Sequence, residues 1–158
     1  MHLIFNMYAL NSFGEIMEKY ILSSSALFGA NGKWVFLLLY ISGIIVSVIP
    51  DFIKYRNQSY YRALGASGAV SAIIFSYIML QPNQKIGIIF LPSSMALPAY
   101  IMGILFIGIS IVLAKKGTGN IGHRAHVSGA IYGLIFTIVS AKLLTNYDVI
   151  GAFINAIK

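Results

Sequence analysis

Cysteine is absent from this 158-residue chain, so disulfides, thiolate nucleophiles and thiolate metal sites are excluded at the outset. Acidic residues are almost as scarce: four Asp and Glu stand against 11 Lys and Arg, and only 9% of residues are charged. The basic residues form no run and lie scattered between apolar segments, which speaks against nucleic acid as a partner and for anchoring at anionic lipid headgroups. There is no internal repeat and no low-complexity tract. Nor does the start carry a basic n-region with a small-residue cleavage site, so the first apolar segment is expected to belong to the fold. What the chain has in plenty is apolar surface. Hydrophobic residues make up 58% and the mean hydropathy is +0.83, which describes an integral membrane protein rather than a soluble domain.

The expected fold is an all-α bundle in the lipid bilayer, one domain over residues 1–158, with spans near 1–20, 34–50, 65–80, 97–114 and 123–144. Each is long enough to cross or nearly cross at about 1.5 Å per residue. Trp34 reads as an interfacial anchor. Pro50 and Asp51 close the second span, and Gln81-Pro82-Asn83 the third. Ile86 to Leu91 is too short to span and is broken by Pro92, which suggests a re-entrant or interfacial piece, and the tail from Asp148 is expected at the surface. The third span begins with small residues and ends with bulky ones, so its neighbours should approach most closely at its beginning.

Three stretches carry candidate chemistry. The third span opens with Gly65-Ala66-Ser67-Gly68, a serine between glycines at a helix N-terminus where backbone N–H groups can hold an oxyanion. Taken singly, such small-residue patterns are ordinary membrane-helix packing. The fifth span opens with Ala125-His126 and continues through Gly129 and Gly133, which with His126 share one helical side. In the first span His2 and Asn6 stack at i and i+4. Spans one, three and five enter from the same side, and each polar group lies near the start of its span, so all can occupy one membrane depth. A serine hydroxyl needs a base, and a neutral imidazole supplies one worth roughly 10²–10⁴ in rate. Asn6, His2 and the Ser67 backbone N–H are candidate oxyanion donors. Asp51 and Asp148 lie at span or tail boundaries and Glu15 and Glu18 at the far end of the first span, so the reading is a Ser–His dyad.

Together these stretches resemble the rhomboid intramembrane serine proteases of bacterial type. Gly65-Ala66-Ser67-Gly68 matches the family's G-x-S-G, Ala125-His126 with Gly129 and Gly133 its A-H-x-x-G-x-x-x-G, and His2 with Asn6 its H-x-x-x-N. The resemblance implies Ser67 as nucleophile and His126 as general base. It also implies His2, Asn6 and Gly65 on the oxyanion side, with Gly68, Gly129 and Gly133 in helix packing. It further implies a water-filled cavity, no cofactor or metal, and cleavage of transmembrane-helical protein substrates. The expected location is a bacterial cytoplasmic membrane with the site toward the extracytoplasmic side. The family core has six spans with H-x-x-x-N on the second, so five spans are expected here, with the first and its following loop missing by upstream truncation. Many members carry an aromatic four residues after the serine, against which the histidine packs. Here that residue is Ser71, so imidazole orientation falls to another group, with Phe75 and Tyr132 as candidates. Charge does not orient the chain: the family's orientation puts six basic residues outside and five inside.

Other readings account for less. His123 and His126 lie three apart, but zinc sites need three or four protein ligands and no further ligand set accompanies them. A bis-histidine haem on His2 and His126 leaves Gly65-Ala66-Ser67-Gly68 unexplained. A small transporter has neither paired carboxylates nor duplicated halves to support it. The main alternatives are a non-proteolytic, rhomboid-like binder of membrane clients and an inactive fragment of the protease, with its catalytic groups present but its first span missing. The sequence leaves substrate and oligomeric state open.

Overall fold

The computed structural model describes residues 2–58, 65–87, 92–116 and 122–158. Among them are six α-helices: α1 (His2–Glu15), α2 (Gly32–Tyr55), α3 (Gly65–Leu80), α4 (Ala99–Lys116), α5 (His123–Leu144) and α6 (Val149–Ile157). Two are long and apolar enough to cross a membrane by length and composition: the segment Gly29–Tyr55, containing α2, and His123–Leu144, which is α5. α3 is apolar all round and is the axis of the bundle, in contact with α1, α2, α4, α5 and α6. A helix with no polar face must be covered on every side. Accordingly Ala69, Val70, Ala72, Ile73, Phe75, Tyr77, Ile78 and Met79 are all buried.

The two halves of α3 are covered differently. Its small first half meets α2 and α5 backbone to backbone: Gly68 and Ala72 present carbonyls to Gly129 and Gly133 of α5, and Gly43 of α2 lies against Ala69 and Ala72. Its bulky second half meets side chains. The Tyr77 ring stands edge-on to Phe13 of α1 at 5.2 Å, and Phe75 packs against Phe106 of α4 at 5.8 Å between ring centroids. α2 turns a stripe of Val35, Leu39, Gly43, Ser47 and Asp51 inward. Its other face, Leu38, Ile41, Ile45, Ile49 and Phe52, is exposed, as are Ile131, Ile135, Val139 and Leu143 of α5. These outward stripes repeat every three or four residues and suit lipid. Trp34 is exposed near the start of α2 with the Lys33 ammonium 5.3 Å from its ring centre.

Several boundaries differ from those expected. α2 does not stop at Pro50 but runs to Tyr55. A proline removes one main-chain hydrogen bond; Asp51 follows it, buried and ion-paired to Arg124 of α5, which ties this end of α2 down from outside the helix. The first span changes character midway, with α1 giving way to the wider π-helical turns of Ile16–Leu22. The tail forms α6, capped by Asp148 Oδ1 accepting from Gly151 N at 3.0 Å, and Val149 is buried beside Met79 and Ala141. Lys85–Ile86 and Leu97–Pro98 pair antiparallel, while residues 88–91 of the expected re-entrant piece lie outside the described residues.

Candidate active site

α3 and α5 run parallel, and glycine decides how closely. A Cβ built on Gly129 would collide with the carbonyl of Gly68, and one on Gly133 with the carbonyl of Ala72. One turn on, Ser76 Oγ and Thr137 Oγ1 share a hydrogen bond of 2.5 Å, and the Thr137 hydroxyl also donates to Gly133 O at 2.7 Å. The seam therefore reads Gly68, Ala72, Ser76 against Gly129, Gly133, Thr137. Small residues at i and i+4 on both helices give the short axis separation. Gly68 also faces α2, where an added Cβ would meet Ser47.

The open end of that seam brings two reactive groups together. Ser67 Oγ and His126 Nε2 are in hydrogen-bond contact, in a partly buried setting. With the imidazole proton on Nδ1, Nε2 can accept the serine proton as the oxygen attacks. Ser67 is the third residue of α3, in the turn whose backbone N–H groups have no intrahelical acceptor. Its own carbonyl accepts from Ser71 Oγ at 3.1 Å, so the residue four positions on turns its hydroxyl back onto the helix.

The imidazole is packed by a residue that sequence reasoning did not select. Phe106 of α4 lies with its ring centroid 5.8 Å from that of His126 and tilted by 35°, and Phe75 backs Phe106 from behind. Of the two expected candidates, Phe75 packs against Phe106, and the Tyr132 hydroxyl donates to Ser42 Oγ of α2 at 2.5 Å. Phe106 sits in an apolar run with no local motif, so only the packing of α4 on α5 reveals it. His123, the first residue of α5, stands edge-on to His126 at 5.9 Å. Among the described residues there is no group of three or more His, Asp or Glu able to hold a metal ion.

The expected oxyanion residues are placed less completely. Asn6 is half-buried on α1, with no hydrogen bond to Ser67 or His126 among the described residues. His2 begins α1, but its side chain lies outside what the structure describes. Gly65 is the first residue of α3.

A family profile described as "Rhomboid domain" matches residues 1–143. The chain belongs to the rhomboid family. Among curated proteins, this rhomboid chain is 33% identical over 142 residues to "RHOMBOID-like protein 12, mitochondrial" of Arabidopsis thaliana, covering 85% of this chain and 40% of the relative. It is 28% identical over 139 residues to "Presenilin-associated rhomboid-like protein A, mitochondrial" of Danio rerio, covering 84% of this chain and 32% of that protein. It is also 28% identical over 150 residues to the human "Presenilin-associated rhomboid-like protein, mitochondrial", with 90% and 35% covered. The chain thus spans roughly a third to two fifths of the relatives it matches. No solved structure matches it significantly. The family and the apolar helices establish a membrane protein with an all-α, rhomboid-like bundle. The expectation of a bacterial cytoplasmic membrane does not fit these relatives, each of which is named mitochondrial.

Proposed function

We propose that this chain carries the catalytic core of an intramembrane serine endopeptidase acting on transmembrane-helical proteins. The observation that supports it most is the hydrogen-bond contact between Ser67 and His126, two side chains from different helices meeting at the end of the close-packed seam between α3 and α5. In this reading Ser67 Oγ attacks the scissile carbonyl carbon while His126 Nε2 takes the hydroxyl proton. The resulting oxyanion is held by first-turn N–H groups of α3 beside Gly65 and Ser67, with Asn6 and His2 on the neighbouring helix as further donors. His126 then returns the proton to the leaving amine, and water hydrolyses the acyl-serine by the same two steps in reverse roles. Each oxyanion donor is worth about 3 kcal/mol in such chemistry. Nothing in the scheme calls for a cofactor. The membrane we propose is of the kind its relatives occupy, with the dyad at the face where α1, α3 and α5 begin.

A second reading is a rhomboid-like protein that binds membrane clients without cutting them. It is favoured by the names of several relatives, which record an association with presenilin rather than a reaction. A fluorophosphonate probe separates the two. Covalent labelling of the chain in detergent, lost in both Ser67→Ala and His126→Ala, is the result expected of the protease. Absence of labelling in folded protein, both in this chain and in an upstream-extended one, would favour the binder.

A further inference from the structure

The seam between α3 and α5 is built from glycine, alanine and small hydroxyls, and it fixes how near the two helices come. The glycines admit only one side of α5 to that contact, and Ser76 bonds Thr137 across it. A second set of contacts holds α5 at the end where His126 stands.

These contacts lie on the α2 side of α5. Arg124 Nε donates to Asp51 Oδ1 at 2.9 Å, Ser128 Oγ donates to Ser47 O at 2.6 Å, and the Tyr132 hydroxyl donates to Ser42 Oγ at 2.5 Å. Residues 124, 128 and 132 follow at i, i+4 and i+8, so they form one face of α5. Their partners descend α2 in antiparallel order, as three rungs of a ladder. At 100° per residue, His126 is turned about 200° from Arg124, which sends its ring away from α2 toward Ser67 of α3 and Phe106 of α4. The top rung is the most demanding one. Asp51 has 1% of its side chain exposed and Arg124 38%, and the pair lies within one turn of His126.

We infer that this ladder helps set the rotation and height of α5, which makes Asp51 and Arg124 positioning residues for His126. The inference rests on the protease reading for its consequence in catalysis, but the placement of the imidazole can be measured without it. Hydrogen bonds have direction, so the ladder adds a second constraint on azimuth to the one the glycine seam imposes. Because the ladder is anchored on α2, a displacement of α2 would be felt at the dyad without any contact between α2 and substrate.

The test replaces the top rung by apolar residues of similar volume, Asp51→Leu with Arg124→Met, an exchange that buried ion pairs commonly tolerate without loss of stability. The full chain in micelles is followed by thermal unfolding, by the rate of fluorophosphonate labelling and by the His126 Hε1 resonance, with Phe106→Leu marking the shift when its ring current is lost. The expected result is an unfolding midpoint near wild type, labelling slowed at least about tenfold, and a His126 resonance displaced from its native position. Addition of Tyr132→Phe should enlarge both changes. A folded double variant that labels at the wild-type rate, or whose His126 resonance does not move, overturns the positioning role. Failure of both the wild-type chain and an upstream-extended one to label, with a resonance that still moves in the variant, would sink the protease reading and leave the ladder standing.

Discussion

Gly133→Ala tests the packing on which the dyad depends, because two large effects predict opposite signs. On helix propensity alone alanine is favoured over glycine by about 1 kcal/mol, so at a loose position the variant would be more stable. At Gly133 the added Cβ falls 2.8 Å from both the carbonyl carbon and the Cα of Ala72, and nearer still to the carbonyl oxygen. Non-bonded carbons settle at about 3.5–4.0 Å, so α3 and α5 must part by roughly 1 Å. Both sides of the clash are helix backbone, which cannot turn aside as a side chain can. Overpacking of this kind costs about 1–3 kcal/mol, enough to outweigh the propensity gain. The same parting widens the gap between Ser67 and His126, and a misplacement of about 1 Å can cost roughly 10² in rate. Thermal unfolding in micelles and fluorophosphonate labelling read the two consequences. Gly108 of α4 provides the control, since nothing lies within 4 Å of a Cβ built there, and Gly108→Ala should be neutral or stabilising without effect on labelling. A Gly133→Ala variant as stable as wild type and labelled at the same rate would refute the close-seam account.

Phe106→Leu should slow labelling by about 2–10-fold, the kinetic equivalent of the roughly 0.5–1.5 kcal/mol an aromatic contact contributes, and labelling rates at a matched degree of folding check it. Ser76→Ala should cost about 0.5–1.5 kcal/mol in unfolding free energy, a modest loss because the Thr137 hydroxyl keeps its bond to Gly133 O. Breaking the pair by Arg124→Gln should cost more than by Asp51→Asn, because Arg124 is 38% exposed and can turn its charge to water whereas the Asp51 carboxylate is 1% exposed; thermal or denaturant unfolding checks the order.

Ser67 and His126 were legible because each stands in a run of small residues at a span start, and the parity of spans puts odd-numbered starts on one side. Helical period then fixes which residues share a face, which is why Gly129 and Gly133 could be read together with His126. The ends of elements were less legible. Pro50 looked like a stop because its own backbone argues for one, and the contact that carries α2 past it comes from Arg124, in another helix. Phe106 could not be read at all, since one phenylalanine in an apolar span differs from its neighbours only by what stands opposite.

The ladder between α2 and α5 falls between these cases, and it shows what kind of signal a sequence of this composition still holds. Hydroxyls at Ser42, Ser47 and Ser128 are uninformative singly, because in a span each can bond its own helix, as Ser42 and Ser128 also do. A carboxylate cannot satisfy itself in that way. With four acidic residues in the chain, an aspartate following an apolar span is best satisfied by a cation at the same depth, and the start of the fifth span can bring one. Arg124, two residues before His126, meets that condition. Scarcity of charge thus turns Asp51 from a boundary marker into a constraint on which face of α5 is turned toward α2, and through that face on where His126 points.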